Sequence, residues 1–188
     1  PFPQRDLLKD RDFKFYKTRG VSLIYSRGCP NSCSFCTSRF VFGSGYRQRQ
    51  IESILEEIDL CVKNHQVRIF NFEDDNLFQN SKKAVELLEN LIHYQERNNI
   101  QLDFTAMNGV SIESMNKNIL RLMKQAGFKE INLSLVTASL INQKKLSRPF
   151  DTLRFSKIAQ FAKEMGFNIR AYFILGLPFQ TREEIEET

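Results

Sequence analysis

The 188-residue sequence has no apolar run of the roughly 18–20 residues that a membrane-spanning helix needs, which excludes a transmembrane protein. Its first residues, PFPQRDLLKDRDF, contain no apolar segment of the signal-peptide type. It also lacks a low-complexity stretch or an internal linker. With 41% apolar and 26% charged residues, the composition is that of a folded chain and excludes disorder. We therefore expect one domain that makes no contact with a membrane.

Histidine and cysteine are scarce, but the cysteines are unevenly placed. The chain has two histidines and four cysteines, and Cys29, Cys33 and Cys36 lie within eight residues. Without a secretion signal, such a cluster indicates a metal site in a reducing compartment rather than a set of disulfides. We accordingly expect a cytoplasmic protein.

Positive charge is concentrated near these cysteines. Residues 1–49 carry ten Lys and Arg against three Asp and Glu, whereas residues 50–188 carry seventeen against nineteen. One interpretation is a solvated basic linker. The other is a basic surface beside the cysteines that binds an acidic electron donor or a nucleic acid.

The remaining pattern alternates β-rich apolar runs with amphipathic helical spacing. Strands are predicted at 21–26, 67–72, 100–106, 129–136 and 167–175. Helices are predicted at 50–63, around 84–92 with Ser81 as N-cap, at 116–126 ending at Gly127, at 153–165 ending at Gly166, and after Thr181 with Glu184 in the capping-box position.

Alternating βα units of this length predict an α/β fold with a parallel sheet and right-handed crossovers. Five strands are too few to close an eight-stranded barrel, which needs about 250 residues. We expect a partial (βα) barrel with outer helices and about five to six βα units. Because the last helix pattern stops after a few residues, we expect this domain, at 20–188, to be incomplete at its C-terminus, with 1–19 as a linker segment.

The cysteine spacing allows either one face of a helix or a loop, and Gly28 and Pro30 favour the loop. Three occupants fit the residues. Structural zinc needs a fourth ligand, for which Cys61, His65 and His93 are the candidates. A disulfide is the second. An iron–sulfur cluster suits soft thiolates, and with three cysteines a cubic cluster keeps one iron open for a substrate.

The motif Cys29-x-x-x-Cys33-x-x-Cys36, with Phe35 before the last cysteine, follows a first strand and opens a βα partial barrel. In these features the chain, from about Gly20 onward, resembles the radical S-adenosylmethionine superfamily. The resemblance implies that the three cysteines hold a 4Fe–4S cluster whose fourth iron chelates the amine and carboxylate of S-adenosylmethionine. An electron delivered to the cluster then cleaves the sulfonium and releases a 5′-deoxyadenosyl radical that abstracts hydrogen from the substrate.

Ligands of parallel βα folds bind at the carboxyl ends of the strands, and the resemblance implies cofactor contacts there. Phe35 would pack near the adenine. The acidic turn Glu73-Asp74-Asp75, which follows the second strand, would receive the methionine ammonium. The family often has a carboxylate after the fourth strand, and INLSLVTAS has none, so a hydroxyl or Arg148 would replace it. After the fifth strand, FILGLP matches an apolar-glycine pattern that lies along the adenine. The predicted contacts are Phe35, Glu73, Asp74, Asp75, Asn108, Ser134, Thr137, Arg148, Ile174, Gly176 and Leu177.

LGLPFQTREE and the segment Arg5-Asp6-Leu7-Leu8 resemble radical enzymes that carry a cobalamin-binding domain upstream. The cobalamin motif Asp-x-His-x-x-Gly is absent here, so cobalamin would come with a domain outside this chain. A methylthiotransferase-like enzyme that modifies tRNA or protein is an alternative. A non-catalytic, metal-clipped module that binds RNA or protein is another. For the enzyme, the implied partners are the unknown substrate and an acidic electron donor such as a flavodoxin or ferredoxin.

Overall fold

The structure, a computed structural model, describes residues 2–15, 18–148 and 151–188, and only the backbone of Phe15. Its strands are β1 (Lys14–Phe15), β2 (Thr18–Leu23), β3 (Ser26–Arg27), β4 (Arg47–Gln48), β5 (Ile69–Phe72), β6 (Asp103–Thr105), β7 (Glu130–Val136) and β8 (Asn168–Phe173). Its α-helices are α1 (Ser38–Phe42), α2 (Ile51–His65), α3 (Ser81–Asn98), α4 (Lys117–Ala126), α5 (Leu140–Lys145), α6 (Thr152–Glu164) and α7 (Arg182–Glu187).

The main sheet is parallel, as the alternation predicts. β2, β5 and β6 pair in parallel, and β1 adds an antiparallel edge to β2. β7 and β8 form a second parallel pair, which an isolated parallel bridge between Phe104 and Phe128 connects to β6. β3 and β4 form a separate antiparallel ribbon. The architecture is an α/β partial barrel, and the predicted fold class is confirmed.

Phenylalanine fills the space between the sheet and its outer helices. Phe70, Phe72, Phe104 and Phe128 are fully buried, and successive ring centroids lie 5.7–6.3 Å apart. Because side chains alternate along a strand, Asn71 between two of these rings points to the opposite face. Its Oδ1 accepts hydrogen bonds from Thr105 Oγ1 at 2.8 Å and from the backbone N–H of Met107 at 3.1 Å. The outer face of the sheet thus packs into an aromatic core, whereas its inner face carries polar groups that are hydrogen-bonded to each other.

Most helix ends follow the predicted capping residues. Thr181 and Glu184 form a reciprocal capping box, and Gly127 ends α4 with a left-handed φ of 107°. Ser81 was predicted as the N-cap of α3, and this is wrong. Asn80 is the cap, since its side chain accepts the N–H of Lys83, and Ser81 is the first helical residue.

The N-terminal segment lies against the barrel in two 3₁₀ turns, Arg5–Leu7 and Asp10–Phe13. Phe13 is buried and stacks on His65 at 4.9 Å between ring centroids. Arg5 and Arg49 each place a guanidinium nitrogen 2.7 Å from the buried carboxylate of Glu57 on α2. The division between a linker segment and a barrel domain at residue 20 stays a prediction.

Among the described residues, the longest helix, α3, is polar on one face, and none of the helices there is long and apolar enough to cross a bilayer.

Candidate functional site

The three clustered cysteines lie in a loop that the β3–β4 ribbon closes at its base. Gly28 begins the loop with a φ of 84°, a left-handed conformation that favours glycine. A Cβ at this position would lie 2.3 Å from the carbonyl oxygen of Gly45, so the two ends of the loop touch here. The N–H of Gly28 donates to Asp75 Oδ2 at 3.1 Å, which ties the loop to the end of β5. The loop is thereby held at the carboxyl ends of the strands.

One cavity brings together the cysteines and many of the polar residues predicted at the strand ends. It is lined by the predicted residues Cys29, Cys33, Phe35, Cys36, Asp75, Asn108, Ser134 and Arg148. Cys29 and Cys33 are partly buried, Cys36 is exposed, and none of the three forms a disulfide. The sequence motif and the strand-end rule therefore converge on one place in the fold.

Nitrogen donors lie beside two of the three thiols. Asn76 Nδ2 is 3.5 Å from Cys29 Sγ, and Arg148 Nη1 is 3.7 Å from Cys33 Sγ. Arg148 is oriented by a second contact, since its Nη2 donates to the carbonyl oxygen of Ser134 at 2.9 Å. Burial raises the pKa of Cys29, and hydrogen bonds from Asn31 and Asn76 act against this rise. A cation and amide donors stabilise thiolates, which are the form that binds metal.

The acidic turn after β5 separates into three environments. Glu73 is exposed and accepts from Ser22 Oγ at 3.1 Å and from Asn108 Nδ2 at 3.2 Å. Asp74 is buried, and its carboxylate accepts from the backbone N–H groups of Tyr25 and Ser26 and from the hydroxyl of Ser26. Asp75 alone of the three lines the cavity.

The other predicted contacts lie outside this cavity. Thr137 is fully buried, and its hydroxyl lies 3.1 Å from that of Thr188. Gly176 has a φ of 79°, and its N–H donates to Gln180 Oε1 at 2.9 Å, with Ile174 and Leu177 on either side in the sequence. None of these lies among the described residues that line the cavity, and neither do Glu73 and Asp74.

The structure adds lining residues that the sequence reasoning missed. Asn31, Ser38 and Arg39 come from the cysteine loop and the start of α1, Asn76 follows the acidic turn, and Ser111 and Glu113 follow Asn108. The buried hydroxyl of Ser38 has no hydrogen-bond partner within the described part of the chain. A donor or acceptor that is buried and unpartnered at a cavity wall is suited to a polar ligand. Proximity to the cysteines in the sequence was the available signal for the first three.

The candidates for a fourth metal ligand do not reach the cysteine loop. Cys61 is buried on α2, where burial raises its thiol pKa to about 11. His65 stacks on Phe13, and His93 Nδ1 lies 3.2 Å from Glu96 Oε2. Within residues 2–15, 18–148 and 151–188, no three His, Cys, Asp or Glu side chains are grouped as ligands of one metal ion. This finding includes the three cysteines, whose side chains line one cavity without being grouped around a single point. Three soft thiols are the kind of donor that suits a 4Fe–4S cluster with one open iron.

A comparison with protein families settles which family has this arrangement. The model of the radical SAM superfamily matches residues 23–188. The chain belongs to the radical SAM superfamily. Radical SAM proteins are enzymes that use a 4Fe–4S cluster and S-adenosylmethionine, so the core described here is an enzyme core of this class.

Radical SAM relatives include an uncharacterised methyltransferase of Pyrococcus horikoshii, 27% identical over all of this chain and 40% of the relative. The anaerobic magnesium-protoporphyrin IX monomethyl ester cyclase of Rubrivivax gelatinosus is 29% identical over 87% of this chain and 29% of the relative. The methyltransferase TsrM of Kitasatospora setae, solved with cobalamin and a [4Fe-4S] cluster, superimposes with a TM-score of 0.79 at 16% identity, over 89% of this chain and 33% of TsrM. The chain thus spans at most two-fifths of these relatives.

Proposed function

We propose that this chain is the radical SAM core of a methyl-transferring enzyme, with Cys29, Cys33 and Cys36 as the protein ligands of the cluster. The observation that carries the proposal is the single cavity where the three thiols face polar side chains from the strand ends. These three cysteines would hold a 4Fe–4S cluster, which would supply the electron for reductive cleavage of S-adenosylmethionine.

Nitrogen donors and one loop contact surround the thiols. Arg148 Nη1 lies 3.7 Å from Cys33 Sγ and Asn76 Nδ2 lies 3.5 Å from Cys29 Sγ, so each sulfur has a nitrogen donor beside it that suits a metal-bound thiolate. Gly28 and Asp75 fix the start of the loop through their hydrogen bond. Together these contacts hold the loop next to the strand ends.

Other residues would bind S-adenosylmethionine. Asp75 lines the cavity and offers a carboxylate oxygen to the methionine ammonium, while Asn108 and Arg148 present donors that suit its carboxylate. Phe35 lies at the cavity wall with 38% of its surface exposed, which leaves its ring available to the adenine. Asp74 has a positioning role, because its oxygens are already used by Tyr25 and Ser26.

Ser134 and Thr137 differ in their suitability as cofactor contacts. Ser134 lines the cavity and fixes Arg148 through its carbonyl oxygen, whereas Thr137 is buried elsewhere. The remaining predicted contacts would reach the ligand where it extends beyond the cavity; they are Glu73, Ile174, Gly176 and Leu177.

The methyl-transfer assignment extends to the whole enzyme. Its relatives include named methyltransferases, and TsrM was solved with cobalamin. We assign the complete protein a methyl-transfer reaction with cobalamin bound by another domain, an acidic electron donor, and a cytoplasmic location. The substrate class stays open.

The test is turnover after anaerobic reconstitution with iron and sulfide. With dithionite and S-adenosylmethionine, the expected products are methionine and 5′-deoxyadenosine, measured by liquid chromatography. Cys33→Ala should abolish both products, whereas Cys61→Ala, which changes a buried thiol outside the cavity, should retain them. A reconstituted protein that binds iron and forms neither product, with or without cobalamin, would contradict the proposal.

A further inference from the structure

The helix that follows the cysteine loop exposes large apolar side chains to solvent. On α1, 89% of the Phe40 surface and 67% of the Val41 surface are exposed, and Phe42 is exposed as well. Ser38 and Arg39 of the same helix line the cavity, but Phe40 and Val41 do not. Adjacent exposed apolar side chains are a feature of interaction surfaces. We name Phe40, Val41 and Phe42 the α1 patch.

The surroundings of the α1 patch are basic. The loop that contains the patch, residues 28–46, has no Asp or Glu, and arginines stand at positions 27, 39 and 47. Arg39 and Arg47 are exposed on either side of the patch, and Arg47 Nη2 donates to the carbonyl oxygen of Phe42 at 2.7 Å, which holds its charge beside the apolar side chains. An apolar centre with a rim of one charge sign matches a partner of the opposite sign.

The position of the patch relative to the cysteines indicates the kind of partner. Phe40 is four residues after Cys36, the exposed member of the three, and α1 carries cavity residues and patch residues on the same short helix. A protein that docks on the patch therefore lies beside the cluster site and leaves the cavity open to its ligand. We propose that the α1 patch is the docking surface for an acidic electron-donor protein. This inference rests on the proposed function.

Binding to the protein without its cluster tests the surface independently of turnover. Calorimetric titration with an acidic flavodoxin should give an affinity that falls as salt rises, because the rim charges are screened. The double variant Phe40→Ser, Val41→Ser should bind flavodoxin at least about tenfold more weakly than the wild type, as expected when two central contacts are lost. Leu60→Ser is the matched control, since Leu60 is an exposed apolar residue on a different helix, α2.

Turnover with two reductants separates docking from chemistry. The double variant should lose most flavodoxin-driven cleavage of S-adenosylmethionine and keep dithionite-driven cleavage, because the small reductant needs no docking surface. The inference would be overturned if the double variant kept both the affinity for flavodoxin and the flavodoxin-driven turnover of the wild type. It would also be overturned if the variant bound flavodoxin normally but lost turnover equally with both reductants. If the wild type fails with dithionite, the proposed function fails, while the titration still decides whether the patch binds the donor.

Hydrogen exchange tests whether another part of the same polypeptide covers the patch. In the full-length protein without donor, the amides of residues 38–42 should exchange rapidly and become protected when flavodoxin is added. Protection of these amides before the donor is added would show that the patch is an internal contact, and the inference would be wrong.

Discussion

Replacement of Asp74 tests how the strand end supports the cysteine loop. The buried Asp74 carboxylate accepts from the backbone N–H groups of Tyr25 and Ser26, just before the loop begins. In Asp74→Ala both N–H groups lose their acceptor, and each buried unpaired donor costs about 1–3 kcal/mol. Removal of a buried charge offsets part of this cost. We expect the free energy of unfolding to fall by about 2–4 kcal/mol.

Urea denaturation at pH 7.5, followed by circular dichroism, measures this loss. Asp75→Ala is the matched control, because Asp75 is only partly buried and accepts one hydrogen bond, from Gly28. Its replacement should cost about 1 kcal/mol. A loss below about 0.5 kcal/mol in Asp74→Ala, within the range of ordinary surface substitutions, or a larger loss in Asp75→Ala, would refute the assignment of Asp74 as the support of this strand end.

Two further predictions concern the same loop. Burial raises the pKa of Asp74 to about 6; the charge of Asp75 adds to this rise, and hydrogen bonds from Ser26 and Tyr25 oppose it. Between about pH 4 and 6, Asp74 is therefore protonated in the folded chain and ionised in the unfolded chain. As the pH rises from about 4 to 6, the free energy of unfolding should therefore fall by up to about 3 kcal/mol more in the wild type than in Asp74→Ala. Urea denaturation at a series of pH values measures this difference, and parallel profiles for the two proteins would contradict the prediction. Gly28→Ala should lower the thermal midpoint of unfolding, and the iron content after reconstitution, more than Gly43→Ala does. A Cβ at Gly28 meets the carbonyl group of Gly45, whereas a Cβ at Gly43 meets nothing within 4 Å. Equal effects of the two substitutions would count against loop closure at Gly28.

The parallel barrel was predictable because its strands and helices have different apolar periods. Each predicted strand overlaps an observed one, and the helix predicted at 50–63 is observed at Ile51–His65. The first predicted strand, 21–26, is divided in the structure, with β2 ending at Leu23 and β3 beginning at Ser26. The short elements α1, α5 and the β3–β4 ribbon were missed, since elements of two to six residues have too few turns or alternations to show a period.

The candidate site was predictable where sequence motif and strand end coincide. Cys29, Asp75 and Asn108 meet in one cavity because each comes two or three residues after the end of a strand, namely β3, β5 and β6. The acidic turn shows what sequence reasoning cannot resolve: three consecutive carboxylates point to three environments, and only the packing of Tyr25 and Ser26 against Asp74 determines which one is buried. Asn76 was missed because no motif marks a single amide beside a thiol.

The central claim is that Cys29, Cys33 and Cys36 are the complete set of protein ligands to a cluster with one open iron. Electron paramagnetic resonance of the reduced, reconstituted protein, recorded with and without S-adenosylmethionine, tests it most directly. The spectrum should change when S-adenosylmethionine is added, both in the wild type and in Cys61→Ala, and no cluster should form in Cys29→Ala. A spectrum that S-adenosylmethionine leaves unchanged, or loss of the cluster in Cys61→Ala, would contradict the claim.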